Sequence, residues 1–107
     1  MKKRGFEVTA AYQDKKINLP KRATKNAAGY DFEAAADIVI PAVWKQIIQH
    51  FTKGSEVSEK IVKPVLVPTG IKAYMGQDEY LQLANRSSNP LKRFLTLSNG
   101  VGVIDSD

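Results

Sequence analysis

The stretch GIKAYMGQDEYLQLAN, Gly70 to Asn85, predicts two strands joined by a turn. The first strand begins directly after a glycine. The second alternates apolar and polar residues, which is the pattern of a strand with one buried face. The residues between them, Gly76 to Glu79, have the composition of a tight turn. We therefore predict a hairpin here, and a protein built mainly of sheet around it.

Further short extended segments lie on both sides of this hairpin. Glycines and prolines separate them, and each predicted strand is only a few residues long. The polar run Arg86–Pro90 is predicted to be a turn, and Asn99-Gly100 suits a tight hairpin. We therefore predict an all-β sandwich or distorted barrel, with further strands at 6–12, 17–19, 30–34, 38–40, 94–98 and 101–104.

One segment has helical rather than strand spacing. Apolar residues recur at intervals of three and four between Ala42 and Lys53, namely at Val43, Trp44, Ile47, Ile48 and Phe51. Pro41 suits the start of a helix and Gly54 suits its end. We predict a single short amphipathic helix over 42–53, followed by a polar loop over 54–60.

Composition narrows the class of protein. A chain of 107 residues with 43% hydrophobic and 25% charged residues has the makeup of one globular domain. It has no cysteine, which excludes disulfides, thiolate metal sites and a cysteine nucleophile, and suits the cytoplasm. No segment has the length or apolarity of a signal peptide or membrane span.

The net charge of +5 is compatible with a phosphate-bearing partner or with an ordinary lysine-rich surface. The basic residues are scattered and do not alternate with aromatic residues, so nucleic acid is not expected. A small phosphorylated ligand needs fewer charges, concentrated in one place.

Two short stretches have residue types suited to binding a phosphorylated ligand. In Ala28-Gly29-Tyr30-Asp31, a carboxylate follows a glycine at a strand entry and could face a cation, or could simply be solvated. In Arg86-Ser87-Ser88, a guanidinium and two hydroxyls could hold phosphate oxygens, or could form an ordinary polar turn.

The stretch NGVGVIDSD, Asn99 to Asp107, is a third candidate. Its small residues leave the backbone accessible, so its N–H and C=O groups could pair with the edge of a flat heterocycle. Asp105 follows an apolar strand, where its carboxylate could orient a water. The alternative is a core hairpin that ends in a polar turn.

In this order, these stretches resemble the trimeric deoxyuridine triphosphatase (dUTPase) family. The matching text is PKRATKNAAGYDFEAAADIVIP, VPTGIKAY, YLQLANRSS and NGVGVIDSD, which covers most of the chain apart from 42–63. The resemblance implies a jelly-roll β-sandwich and a homotrimer whose active sites are shared between subunits. It also implies hydrolysis of dUTP to dUMP and pyrophosphate, by attack of water on the α-phosphorus.

The resemblance also implies a role for each site residue. Asp105 would orient and deprotonate the water, and Mg²⁺ would be held mainly by the triphosphate, with waters reaching Asp31. The phosphate contacts would come from Arg86, Ser87 and Ser88. The uracil edge would be recognised by Asn99, Gly100, Gly102, Val103 and Ile104.

The chain departs from the family pattern in two ways. Family members continue beyond GVIDSD, so we expect residues 1–107 to be a single domain lacking its C-terminal part, and to be inactive alone. The helical segment replaces a short turn and could pack on its own subunit or bind a protein partner.

Two alternatives to dUTP hydrolysis remain: a deaminase of dCTP, and a non-catalytic regulatory module with the same fold.

Overall fold

The computed structural model describes residues 3–52 and 63–107. In this part of the chain, four short strands form two antiparallel pairs. Two α-helices and one 3₁₀ helix lie between the strands in chain order. The elements are β1 (Gly5–Val8), a 3₁₀ helix (Ala10–Tyr12), α1 (Val43–Thr52), β2 (Ile71–Tyr74), β3 (Leu81–Leu83), α2 (Ser88–Arg93) and β4 (Gly102–Ile104).

The chain divides into two compact units. One comprises Met1–Glu33 and Gly70–Asp107 and contains all four of the described strands. The other is Ala34–Thr69 and contains α1. The candidate site residues all belong to the first unit.

Strands β1 and β2 pair in a register that places Gly5 opposite Tyr74 and Val8 opposite Ile71. The pairing extends one step further, because the Thr9 N–H donates to the Gly70 carbonyl at 2.8 Å. Gly70 has φ +70°, and a Cβ there would lie 3.0 Å from Cγ of Tyr12. Glycine is therefore needed at Gly70, both for the left-handed backbone and for the close approach of the Tyr12 side chain.

The predicted turn at Gly76–Glu79 is confirmed, but the predicted hairpin is wrong. The Glu79 N–H donates to the Gly76 carbonyl at 3.0 Å, and the Gly76 N–H donates to Oε1 of Glu79 at 2.9 Å. However, β2 pairs with β1, and β3 pairs with β4. Residues 75–80 all lie outside the strands, and so long a connection does not oblige the flanking strands to pair as a two-residue turn does. The turn instead carries the chain from one sheet to the other.

The predicted turn over Arg86–Pro90 is also wrong, because α2 occupies Ser88–Arg93. Pro90 lies in the first turn of this helix, where a missing N–H removes no intrahelical hydrogen bond. The helix ends at Phe94, which has φ 55° and donates its N–H to the Asn89 carbonyl. The strand predicted over 94–98 is therefore not formed.

Three other predicted strands are absent from the described residues: 17–19 and 38–40 are irregular, and 30–34 contributes only a single bridge between Lys21 and Asp31. The strand predicted over 6–12 forms only as far as Val8, because Ala10–Tyr12 is a 3₁₀ helix. The predicted alternation along 30–34 is nevertheless visible. The rings of Tyr30 and Phe32 both contact the Phe6 ring, with centroids 5.6 and 5.2 Å away.

In the second unit, α1 confirms the predicted helix. The side-chain amide of Gln46 uses both of its polar atoms: Nε2 donates to the Pro41 carbonyl at 3.3 Å, and Oε1 accepts the Lys63 N–H at 2.9 Å. Much of the apolar face is exposed, with Trp44 at 74% and Phe51 at 72%. The predicted helix end at Lys53, its Gly54 cap and the loop over 54–60 lie outside the described residues.

The described part of the chain has no fully buried apolar side chain. None of the described helices has the length and apolarity needed to cross a membrane.

Candidate functional site

A groove of about 290 Å³ lies beside Asp31 in the first unit. We call it the Asp31 groove. Three basic and two acidic residues line it, so its charged groups are mixed and slightly basic. The lining residues are Leu19, Lys21, Arg22, Ala23, Asp31, Phe32, Glu33 and Arg86.

The groove brings two of the predicted site residues together. Nε of Arg86 lies 3.8 Å from Oδ1 of Asp31, although 55 positions (86 − 31) separate them in the sequence. Their side chains are 62% and 37% exposed, respectively. An exposed ion pair of this kind contributes at most about 1 kcal/mol, so a charged ligand can rearrange it at little cost.

The two serines after Arg86 differ in their contacts. Oγ of Ser88 accepts a hydrogen bond from Nη1 of Arg93 at 3.4 Å. Ser87 stands at the N-cap position of α2, but its side chain makes no capping bond. Within the described residues, the Ser87 hydroxyl is therefore the freer of the two for a ligand.

Asn85, just before Arg86, is a positioning residue that the sequence did not reveal. Its Nδ2 donates to Oγ1 of Thr96 at 3.1 Å, and its Oδ1 accepts the Leu97 N–H at 3.0 Å. These two bonds close the loop that carries Arg86 and α2. Only its place at the end of a strand could have drawn attention to it, and many asparagines stand at strand ends.

The third predicted stretch forms a turn and then β4. Nδ2 of Asn99 donates to the Val101 carbonyl at 3.1 Å, and Gly100 adopts φ +76°. The Asn99 side chain therefore closes its own turn. Gly102 packs closely on β3, because a Cβ there would lie 3.2 Å from Cβ of Leu83.

Strand β4 uses one edge to pair with β3, and its other edge has no partner strand in the described residues. The backbone groups of Gly102, Val103 and Ile104 on this second edge face no neighbouring strand. This arrangement is compatible with the predicted pairing of these groups with the edge of a flat heterocycle.

Asp105 and Arg86 are not brought together. The register of the β3–β4 pair places Leu83 opposite Gly102 and Leu81 opposite Ile104. Arg86 follows the Leu83 end of the pair, and Asp105 follows the Leu81 end. Asp105 is exposed. The hydroxyl of its neighbour Ser106 donates a hydrogen bond to the Gln77 carbonyl, in the 76–79 turn, at 3.5 Å. The two predicted functional groups therefore lie beyond opposite ends of one strand pair.

Metal-ligating residues are sparse. Among residues 3–52 and 63–107, no three His, Cys, Asp or Glu side chains are grouped so that they could hold a metal ion. The carboxylates that face the Asp31 groove are those of Asp31 and Glu33. Oε2 of Glu33 accepts a hydrogen bond from Nδ2 of Asn18 at 3.3 Å, and Oδ1 of Asp31 lies 3.8 Å from Nε of Arg86, so each carboxylate has one partner.

No protein-family model matches the chain. The deoxyuridine 5'-triphosphate nucleotidohydrolase of Lactococcus lactis is 46% identical over 107 residues, which is all of this chain and 59% of that protein. The protein of the same name from Oryza sativa is 33% identical over 89 residues, covering 83% of this chain and 40% of that one.

Among solved structures, the crystal structure of dUTPase from Streptococcus mutans superposes with a TM-score of 0.67 at 44% identity. The match covers 96% of this chain and 65% of that one, so the chain spans about two-thirds or less of these relatives. The fold is thus the all-β fold of a dUTPase, with a few short helices. By sequence and by fold, the chain belongs to the dUTPase family.

The alignment with the Lactococcus protein runs over the whole chain and therefore spans the residues of α1.

Proposed function

We propose that the full-length protein containing this chain hydrolyses dUTP to dUMP and pyrophosphate. The observation that carries the proposal is the 3.8 Å approach of Arg86 to Asp31 in the Asp31 groove. It joins two of the stretches by which the sequence resembles dUTPases, in a chain whose relatives are named deoxyuridine 5'-triphosphate nucleotidohydrolases.

Arg86 and Ser87 would bind the phosphates. Arginine offers a planar set of donors matched to phosphate oxygens, and the free Ser87 hydroxyl adds a neutral donor. Attack of water on the α-phosphorus spreads negative charge over the phosphate oxygens and expels pyrophosphate. Groups that hold those oxygens in place stabilise this charge, which is the main source of catalysis in phosphoryl transfer.

A Mg²⁺ ion that is already bound to the phosphates of the nucleotide would fit this groove. Magnesium is usually held by one or two carboxylates together with substrate phosphates, and it keeps several waters. The half-exposed carboxylate of Asp31 is the ligand that the groove offers, with Ser87 and Arg86 left for the phosphates. When bound, the ion would neutralise part of the phosphate charge.

The open edge of β4 would select uracil. Its backbone groups, from Gly102 to Ile104, form a fixed series of donors and acceptors. Uracil presents an acceptor at the position where cytosine presents an amino group, so cytosine would leave buried groups unpaired. Asp105, at the end of β4, would orient and deprotonate the attacking water.

We further propose that the site is shared between copies in a homotrimer, and that the protein is cytoplasmic. Sharing is supported by the β3–β4 register, because Asp105 and Arg86 follow opposite ends of that strand pair. A site that needs both groups is then most simply completed by a second copy. The cysteine-free composition is compatible with a reducing compartment.

The test is to measure the products that the full-length protein releases from dUTP, dCTP and dTTP. We expect pyrophosphate from dUTP and little from the other two. Release of ammonia from dCTP would instead favour the deaminase. Tight binding of dUTP without turnover would favour the non-catalytic module.

A further inference from the structure

Lys21 is paired with Asp31 through the backbone. The Asp31 N–H donates to the Lys21 carbonyl at 3.0 Å, and the two residues form an isolated antiparallel bridge. Residues directly opposite each other in an antiparallel pair project to the same face, with Cβ atoms about 5 Å apart. The Lys21 side chain therefore leaves the backbone on the face that carries the Asp31 carboxylate.

The guanidinium of the next residue, Arg22, already has partners. Its guanidinium carbon lies 5.3 Å from the centre of the Tyr30 ring, and Nη1 donates to the Lys25 carbonyl at 3.5 Å. The first of these is the distance of a cation–π contact. Two adjacent cations on one exposed segment thus have different surroundings, although both line the Asp31 groove.

The Lys21 ammonium has no carboxylate partner among the described residues, whereas Arg86 is paired with Asp31. A lysine ammonium is a compact charge on a flexible stem, suited to following a phosphate chain rather than gripping one phosphate in a fixed geometry. Asp31 is therefore flanked by two cations: Arg86 beside its carboxylate, and Lys21 across the backbone bridge.

We propose that Lys21 is a further phosphate-binding residue of the Asp31 groove, which contacts the triphosphate of the nucleotide together with Arg86. The inference rests on the proposed function for the identity of the nucleotide. It extends that function, because Lys21 lies outside the three stretches to which the sequence assigned the site.

The experiment compares Lys21→Gln with Lys16→Gln in the full-length protein. Both changes remove one positive charge from an exposed lysine of the first unit, and Lys16 does not line the Asp31 groove, so a general effect of net charge would be equal in the two. The measurement is the Kd of the non-hydrolysable analogue α,β-imido-dUTP. Because a partly exposed contact between a cation and a phosphate is modest, we expect Lys21→Gln to weaken binding about fivefold and Lys16→Gln less than twofold.

Two additional measurements identify the contact as ionic. Lys21→Arg keeps the charge and should restore binding to within about twofold of the wild type. The difference between Lys21→Gln and the wild type should also shrink as salt is raised, because exposed charges are screened. Equal losses for Lys21→Gln and Lys16→Gln, or no loss for either, would overturn the proposal.

A second ligand separates this inference from the proposed function. Tripolyphosphate carries the phosphate chain without a nucleoside, so its binding reports on the cations of the groove alone. If the wild type fails to hydrolyse dUTP but Lys21→Gln still binds tripolyphosphate more weakly than Lys16→Gln, the proposed function fails and the role of Lys21 stands. If dUTP is hydrolysed and the two variants bind both ligands alike, Lys21 has no such role.

Discussion

The sharing of the site between copies can be tested by mixing two inactive variants of the full-length protein. Asp105→Asn removes the base at one end of the β3–β4 pair, and Arg86→Ala removes the phosphate contact at the other. Each variant alone should be close to inactive. If a complete site takes Arg86 from one copy and Asp105 from the next, a mixed oligomer regains an intact site wherever the two wild-type groups meet.

The expected magnitude follows from the geometry. In a cyclic trimer with three equivalent interfaces, every mixed trimer contains one interface at which an intact Arg86 faces an intact Asp105. Equal amounts of two freely exchanging variants give mixed trimers in about three-quarters of cases, so about a quarter of the wild-type activity should return. A site formed within one chain would regain none.

The assay is pyrophosphate release from dUTP after co-expression, with the variant ratio checked by mass spectrometry. A matched control pairs Arg86→Ala with Asp31→Asn, because these two residues contribute to the same groove. That pair should not complement, whereas Asp105→Asn with Asp31→Asn should. The shared-site argument would be refuted if co-expressed Asp105→Asn and Arg86→Ala stayed as inactive as each alone.

Four further predictions concern single residues. Asp105→Asn should lower kcat by about a thousandfold while leaving the Kd of α,β-imido-dUTP unchanged, since the amide keeps the shape but cannot accept a proton; a kcat within tenfold of the wild type would contradict the role of base. Arg86→Ala should both weaken the Kd of the same analogue and lower kcat, because it removes a charged phosphate contact; an unchanged Kd would argue against that contact. Gly70→Ala should lower the free energy of unfolding in urea by about 1–2 kcal/mol, because φ is +70° and the new Cβ would meet Tyr12 at 3.0 Å. Gly29→Ala is the control, since a Cβ there meets nothing within 4 Å. Equal losses of stability in the two variants would contradict the steric argument. Asn85→Ala should cost about 1 kcal/mol by the same measurement, because two hydrogen bonds that close the Arg86 loop are lost; no change in stability or in the KM for dUTP would show that these bonds do not position the loop.

Where local periodicity or composition was strong, the sequence predicted the structure well. The three- and four-residue spacing from Val43 to Phe51 predicted α1, and the Gly76–Glu79 turn has its expected hydrogen bond. The alternation of Tyr30 and Phe32 correctly placed both rings on one side, although no strand forms there. These features depend on neighbours within a few positions, and such information is fully present in the local sequence.

The sequence predicted the structure poorly where the local signal was ambiguous and where the outcome depended on distant partners. Ser88–Arg93 is helical although its serine, asparagine and proline suggest a turn, because Pro90 falls in the one part of a helix that tolerates it. The 94–98 segment alternates like a strand but has no partner strand in the described residues. Strand propensity is realised only where a neighbour supplies the hydrogen bonds.

For the site, the sequence by itself determined the chemistry: a carboxylate at Asp31, a guanidinium and hydroxyls at 86–88, and a carboxylate at Asp105 after an apolar strand. Only the tertiary structure decided which of these groups meet. The 3.8 Å contact joins Asp31 to Arg86, and the β3–β4 register sends Asp105 to the opposite end of the strand pair. The physical reason is that side-chain type is a local property, whereas pairing and register are set by backbone hydrogen bonds between segments far apart in the chain.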